Sequence, residues 1–172
     1  MNTEIYFAKV KPNAIIPSKR DEDAGLDIYA CFDEEYMMIY PHQTRLIPTG
    51  IASMCDDDYC FILKERGSTG TKGIAQRCGV IDSGYRNEWF VPLTNTTRKP
   101  LMLYNQLPKR YEGLAWEDID INQTFTLYST SKAIAQVLVI PVPKITIREM
   151  DYEQLKEFKS ERGMGALGSS GK

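Results

Sequence analysis

The stretch 79-GVIDSGYRNEW-89 sets two short apolar pieces on either side of Asp82-Ser83-Gly84. Val80 and Ile81 are apolar enough to end a buried strand, and Ser83-Gly84 predicts a positive φ inside a tight hairpin. Such a hairpin leaves rim amides and carbonyls able to read the edge of a planar ligand. An aspartate at its start can accept a proton from water, and a tyrosine just past it offers a flat face. Asp82 can equally cap the turn and Tyr85 pack on the core, so on this stretch alone both readings stand.

A hairpin needs partner strands, and the rest of the chain supplies them. Period-2 runs rich in β-branched and aromatic residues recur at 3-TEIYFAKV-10, 26-LDIYAC-31, 44-TRLIPTGI-51, 59-YCFILK-64, 124-TFTLYS-129 and 144-KITIRE-149. Clusters of Pro, Gly, Asn and Asp separate them. The pattern predicts an all-β sandwich or barrel of jelly-roll type. Helical character is confined to 151-DYEQLKEFKSER-162, with Asp151 as its cap or as part of a polar connector. The segment 98–123 has no steady period and reads as a long loop or insertion. The glycine- and serine-rich 161-ERGMGALGSSGK-172 reads as a mobile tail. The expected organisation is one β domain over 1–160 and a tail segment over 161–172, a length suited to a single core.

A net charge of −2 offers no basic surface, so neither nucleic acid nor an anionic membrane is expected as a partner. A polyanionic substrate would need discrete arginines or a divalent metal. The opening MNTEIYFAKV carries early charges and no apolar h-region, and the longest apolar run, 133-AIAQVLVIPV-142, is too short to span a bilayer. A cytoplasmic protein is expected. Cys31, Cys55, Cys60 and Cys78 form no CxxC pair and His42 is the sole histidine, so free, mostly buried thiols are expected rather than a Cys/His zinc site.

Three further constellations could carry chemistry. In 64-KERGSTGTKG-73, Arg66 is followed by Gly67, Ser68, Thr69 and Gly70: a bidentate phosphate donor, hydroxyls and unobstructed backbone. The spacing is not that of a P-loop, and a plain loop between strands is an equal reading. The tail repeats the chemistry with Arg162, Gly163, Gly165, Gly168, Ser169, Ser170 and Gly171, as a closing lid would. In 24-AGLDIYA-30, Asp27 puts a charge in a strand-like apolar run, which is costly unless paired or near a metal. Gln136 interrupts 133–142 in the same way, where a satisfied core hydrogen bonder is the plainer reading.

Taken in order, AGLDIYA, RGST at 66–69, GVIDSGYRN at 79–87, IAQ at 134–136 and RGMGALGSSG at 162–171 resemble the five motifs of the homotrimeric dUTPase family. LIPTGI at 46–51 is similar to a strand and turn of the same family. The resemblance implies a jelly-roll-like subunit in a homotrimer with active sites at subunit interfaces. It implies Mg²⁺-assisted hydrolysis of dUTP to dUMP and pyrophosphate, which limits uracil in DNA and supplies dUMP for thymidylate synthesis. On this resemblance Asp82 is the general base, Tyr85 lies against the deoxyribose, and the hairpin backbone from about Gly79 to Tyr85, with Val80 and Ile81, reads uracil. Ser68 and Gln136 contact the α-phosphate region or its waters, Arg162, Ser169 and Ser170 fold over the γ-phosphate, and Arg66, Gly67 and Gly168 of the same motifs are further substrate-binding residues; Asp27 holds the metal's water shell or the site's framework.

The chain departs from the family pattern at several points. Gly67 directly follows the second-motif arginine, where serine is usual, which puts Ser68 in its place. Ala133 replaces the arginine before IAQ, with Lys132 as a candidate substitute, and Asn87 stands where glycine is common. Leu167 occupies the position of the aromatic that stacks on uracil. Leu167 can cover the base without stacking, so Trp89, Phe90 or an aromatic of the insertion is expected to supply the flat face. The lengthened segment at about 100–123 offers Tyr104, Tyr111 and Trp116 as anchors for a protein partner, or folds back on its own assembly. Two other functions remain open: a related dCTP deaminase with Glu88 as proton shuttle, and a nucleotide-gated interaction protein.

Overall fold

The computed structural model describes residues 4–111, 113–115, 119–161 and 163. The alternating runs become short strands: β1 (Ile5–Lys9), β2 (Leu26–Ile28), β3 (Tyr36–Ile39), β4 (Thr44–Pro48), β5 (Ile51–Cys55) and β6 (Tyr59–Lys64). After the one-turn helix α1 (Gly67–Gly70) come β7 (Ile74–Gln76), β8 (Val80–Ile81), β9 (Phe90–Asn95), β10 (Leu101–Tyr104), β11 (Arg110–Tyr111) and β12 (Leu114–Ala115). Helix α2 (Ile121–Thr124), β13 (Thr126–Ser129), β14 (Ala135–Pro141) and α3 (Tyr152–Lys156) complete the chain. Three sheets organise the fold, in strand orders β2-β14-β6-β8, β4-β9-β7 and β13-β10-β3, with β1 paired to β5 and β11 to β12. All pairs are antiparallel except β10 with β13. This is the all-β architecture that the alternation predicts.

The chain divides into two units, Met1–Val142, which holds every strand among the described residues, and Pro143–Lys172 with α3. In the second unit, Asp151 caps α3 by accepting from the Glu153 amide. No helix among the described residues is long and apolar enough to cross a membrane.

The first unit's core follows from strand parity. In β6, Phe61 and Leu63 are buried while Lys64 is exposed; in β9, Val91 and Leu93 point inward. Phe7, Phe61 and Trp89 meet with ring centroids 5.1–5.7 Å apart, two of the three pairs edge-on. Such aromatic pairs add about 0.5–1.5 kcal/mol each beyond the area they bury. Trp89, fully buried there, cannot cover a base, which removes one of the aromatics expected in that role.

Other expectations need correcting. Leu101–Tyr104, read as the start of the insertion, is the central strand of its sheet, and Leu101, Met102 and Leu103 are all buried. A strand covered on both faces shows no alternation, which is why it read as irregular. Beyond it, Tyr111 packs edge-on against Phe125 at 4.9 Å, so it folds onto its own unit instead of standing free as an anchor. Trp116 lies outside the described residues. The run 144–149 joins no strand among the described residues, and Ile145 and Ile147 are exposed. Of the thiols expected to be mostly buried, two of four are: Cys31 and Cys55 are inside, Cys60 intermediate, Cys78 exposed.

Candidate active site

The hairpin is built against β6. Ile81 and Val80 pair with Phe61 and Ile62, and the Leu63 amide donates to the Gly79 carbonyl at 2.7 Å. A Cβ at position 79 would lie 2.8 Å from the Leu63 carbonyl oxygen, so only glycine lets β8 approach this closely. The turn closes through Tyr85 N–H to Asp82 O at 3.0 Å. The positive φ expected at Gly84 is absent: its φ is not left-handed, and a Cβ there would meet nothing. A turn of i to i+3 kind with both central residues at negative φ serves instead.

On the hairpin's rim, Val80, Ile81, Asp82, Tyr85 and Phe90 line a recess of about 210 Å³. The Tyr85 hydroxyl donates to the Glu88 carbonyl at 3.0 Å, which fixes its ring, and the Arg86 guanidinium donates to the Ser83 carbonyl. The Asp82 carboxylate is exposed and makes no hydrogen bond or ion pair with the described residues. Glu88, by contrast, is committed, accepting the Gly50 amide at 2.7 Å.

A second recess, of about 680 Å³, gathers residues of the AGLDIYA, RGST and IAQ motifs. Asp27 of β2 forms a two-toothed ion pair with Arg66, Nε to Oδ1 at 3.0 Å and Nη2 to Oδ2 at 3.3 Å. Arg66 Nη1 also donates to the Ala133 carbonyl at 3.2 Å and to Ser68 Oγ at 3.3 Å. The guanidinium thus ties β2, the α1 turn and the entry to β14 into one unit. Ala133, at the position of the missing arginine, is buried and gives only its carbonyl; Lys132 is exposed and outside the recess. Gln136 pairs across from Asp27 and donates through Nε2 to the Glu65 carbonyl at 2.7 Å. A Cβ on Gly25 would stand 2.7 Å from Gln136 Oε1, which accounts for the glycine of AGLD.

The motif reading passed over Lys19 and Arg20, which line this recess; the signal available was the charged run 19-KRDED-23 beside AGLD. Arg20 pairs with Asp23 at 2.9 Å, and its hydrogen bonds hold the Asp23 carboxyl below the usual carboxylate range. Among the described residues, the carboxylates close enough together to grip a cation are Asp56, Asp57 and Asp58, and none of them lines this recess. Arg162, Leu167, Gly168, Ser169 and Ser170 lie outside the described residues.

The two recesses share no lining residue. In the sheet order β2-β14-β6-β8, Asp27 and Gln136 align with Lys64, whereas continuing the β8–β6 register one residue past Ile81 brings Asp82 level with Cys60. Three strand spacings and four residue rises separate Asp27 from Asp82 by roughly 20 Å.

The dUTPase family model matches residues 11–106. The deoxyuridine 5′-triphosphate nucleotidohydrolase of Leptospira interrogans serovar copenhageni is 34% identical over 98% of this chain and 99% of its own. Among solved structures, a Staphylococcus bacteriophage 80alpha dUTPase mutant with dUpNHpp matches at TM-score 0.73 and 20% identity, over 97% of this chain and 98% of that one. A phage phi11 dUTPase mutant, described as revealing the coordination of a structural Mg(II) ion, matches at 0.66 and 17%, over 87% and 99%. With its fold, its motifs and its relatives in agreement, the chain belongs to the dUTPase family.

Proposed function

We infer that this chain hydrolyses dUTP to dUMP and pyrophosphate, and that Asp82 is the general base. One observation carries the assignment of roles: a single recess holds an uncommitted carboxylate, a fixed phenol ring and the backbone edge of β8. In the reaction, Asp82 takes a proton from water as its oxygen attacks the α-phosphorus. The bond from that phosphorus to the bridging oxygen breaks, and pyrophosphate leaves with the electron pair. Tyr85 lies against the deoxyribose and leaves no room for a 2′-hydroxyl. Backbone groups of Gly79, Val80 and Ile81 read the uracil edge, so that cytosine leaves donors and acceptors unpaired. Phe90, exposed on the rim, supplies the flat cover that Leu167 cannot.

Arg66, through Ser68 and with Gln136, forms the α-phosphate half-site, while Gly67 keeps the α1 turn open to it. Arg162, Gly168, Ser169 and Ser170 close over the γ-phosphate. Mg²⁺ would be held by Asp27 and Gln136, too few for an all-protein octahedral cage but suited to an ion that keeps most of its water shell. Asp27 would hold that shell from outside, because Arg66 already bonds both its oxygens. When bound, the ion neutralises charge on the triphosphate.

The roughly 20 Å between Asp82 and Asp27 exceeds what one α-phosphate can bridge. That gap supports a homotrimer in which one copy's hairpin faces another's recess. Residues 144–149, with Ile145 and Ile147 exposed at alternate positions, suit a strand laid on a neighbouring copy. The enzyme works in the cytoplasm. A dCTP deaminase would need Glu88 free beside the amine, whereas its carboxylate holds the Gly50 amide. Pyrophosphate release measured across dUTP, UTP, dTTP and dCTP, with and without Mg²⁺, tests the reading. Release from dUTP alone, enhanced by Mg²⁺, is expected; ammonia from dCTP contradicts it.

A further inference from the structure

We propose that Gln76 is a positioning residue whose side-chain amide locks the corner at Cys78 and thereby sets the place of the base-reading strand β8. The proposal rests on the reading of Gly79–Tyr85 as the nucleoside half-site.

β7 belongs to the sheet β4-β9-β7 and β8 to the sheet β2-β14-β6-β8, with only Arg77, Cys78 and Gly79 between them. The Arg77 amide still donates to Pro92 O of β9 at 2.9 Å, and Gly79 O already accepts from Leu63 of β6 at 2.7 Å. The change of sheet therefore falls on Cys78, whose φ is 59°. A side chain disfavours that left-handed conformation by roughly tenfold.

Gln76 Nε2 donates to Arg77 O at 2.7 Å and to Cys78 O at 2.6 Å. These are the carbonyls of the two peptide planes that flank the Cys78 Cα, so the pair of bonds restrains both of its dihedrals. Gln76 is itself anchored: its main-chain amide donates to Glu65 Oε1 at 3.1 Å, and it sits opposite Leu93 in the sheet. The fit beyond the corner has no slack, because Gly79 lies directly against the Leu63 carbonyl. If the corner loosens, the Val80–Ile81 edge shifts first. Asp82 is held separately by its own turn through Tyr85. The brace therefore governs substrate affinity and base choice more than the chemical step.

The test compares steady-state kinetics of the full chain carrying Gln76→Leu, Cys78→Gly or both, with thermal unfolding as a check on folding. Gln76→Leu should raise KM for dUTP about tenfold, the left-handed penalty now unopposed, with kcat within about threefold. Its dUTP over dCTP discrimination should fall in parallel. Glycine adopts the left-handed corner without strain, so the double variant should return to within about threefold of Cys78→Gly alone. If Gln76→Leu does not fold, Gln76→Glu, which at neutral pH accepts but cannot donate, should show the same KM rise. An unchanged KM in either variant, or a rise that Cys78→Gly does not relieve, overturns the proposal. A Tyr85→Ala variant separates the two levels. If its KM is unchanged the half-site reading itself fails; if its KM rises while that of Gln76→Leu does not, only the brace fails.

Discussion

Two aspartates of one chain, Asp82 and Asp27, meet opposite fates. Asp82 stands exposed on a hairpin rim with no partner among the described residues; Asp27, a third exposed, is gripped at both oxygens by Arg66. Arg66 occupies both Asp27 oxygens, whereas the Asp82 oxygens are open to a water molecule. The hairpin thus presents an open carboxylate on a fixed frame. The recess presents a wired scaffold, in which Arg66 positions Ser68 and the α1 turn. On the proposed function, chemistry falls to the first region and placement of the phosphates to the second.

The comparison breaks most sharply at Asp82. Asp82→Asn should lower kcat by roughly 10²–10⁴ with dUTP KM changed only a few-fold, since shape and hydrogen-bond acceptance survive while the base does not. Activity within a few-fold of the parent would remove Asp82 from its role.

Arg66→Gln should act on stability as well as rate, because Asp27 loses its partner and the tie to Ala133 O disappears. The pair is about 30% exposed, so the cost should be near 1–3 kcal/mol in urea unfolding, below that of a fully buried pair. Asp82→Asn should leave unfolding unchanged. Equal destabilisation by the two substitutions would erase the distinction.

Smaller still, Tyr85→Phe removes one partly exposed hydrogen bond to Glu88 O and should raise KM less than tenfold. Smallest is a matter of thiol access. Burial pushes the Cys31 and Cys55 thiols up, so less thiolate is present at neutral pH, and alkylation should mark exposed Cys78 first. Peptide mapping after brief alkylation reads the order; dUTP should protect Cys78 if β8 is the nucleoside edge.

Most of the fold could be read from alternation, because strands with one wet face write period 2 into the sequence. Leu101–Tyr104 escaped because it is covered on both faces, and 144–149 misled because alternation records a wish for a partner, not the partner itself. Several of the motif residues line the two recesses, but their commitments were not legible. Nothing in RGST tells that Arg66 reaches Asp27 and Ala133, far away along the chain, and nothing in DSG excludes a negative φ at Gly84. Trp89 shows the same limit: an aromatic after a turn reads equally as a base cover or a core residue, and packing against Phe7 and Phe61 decided.

Because the two recesses of one chain stand apart, the central claim is that each active site is completed by a second copy. Co-expressing Asp82→Asn with Arg66→Gln chains and measuring dUTP hydrolysis by the mixed assemblies tests it most directly. If hairpin and recess come from different copies, random mixing gives about a quarter of sites with both halves intact, and activity should rise to about that fraction of the parent. Activity no higher than the average of the two variants alone would place both halves within one chain and contradict the account.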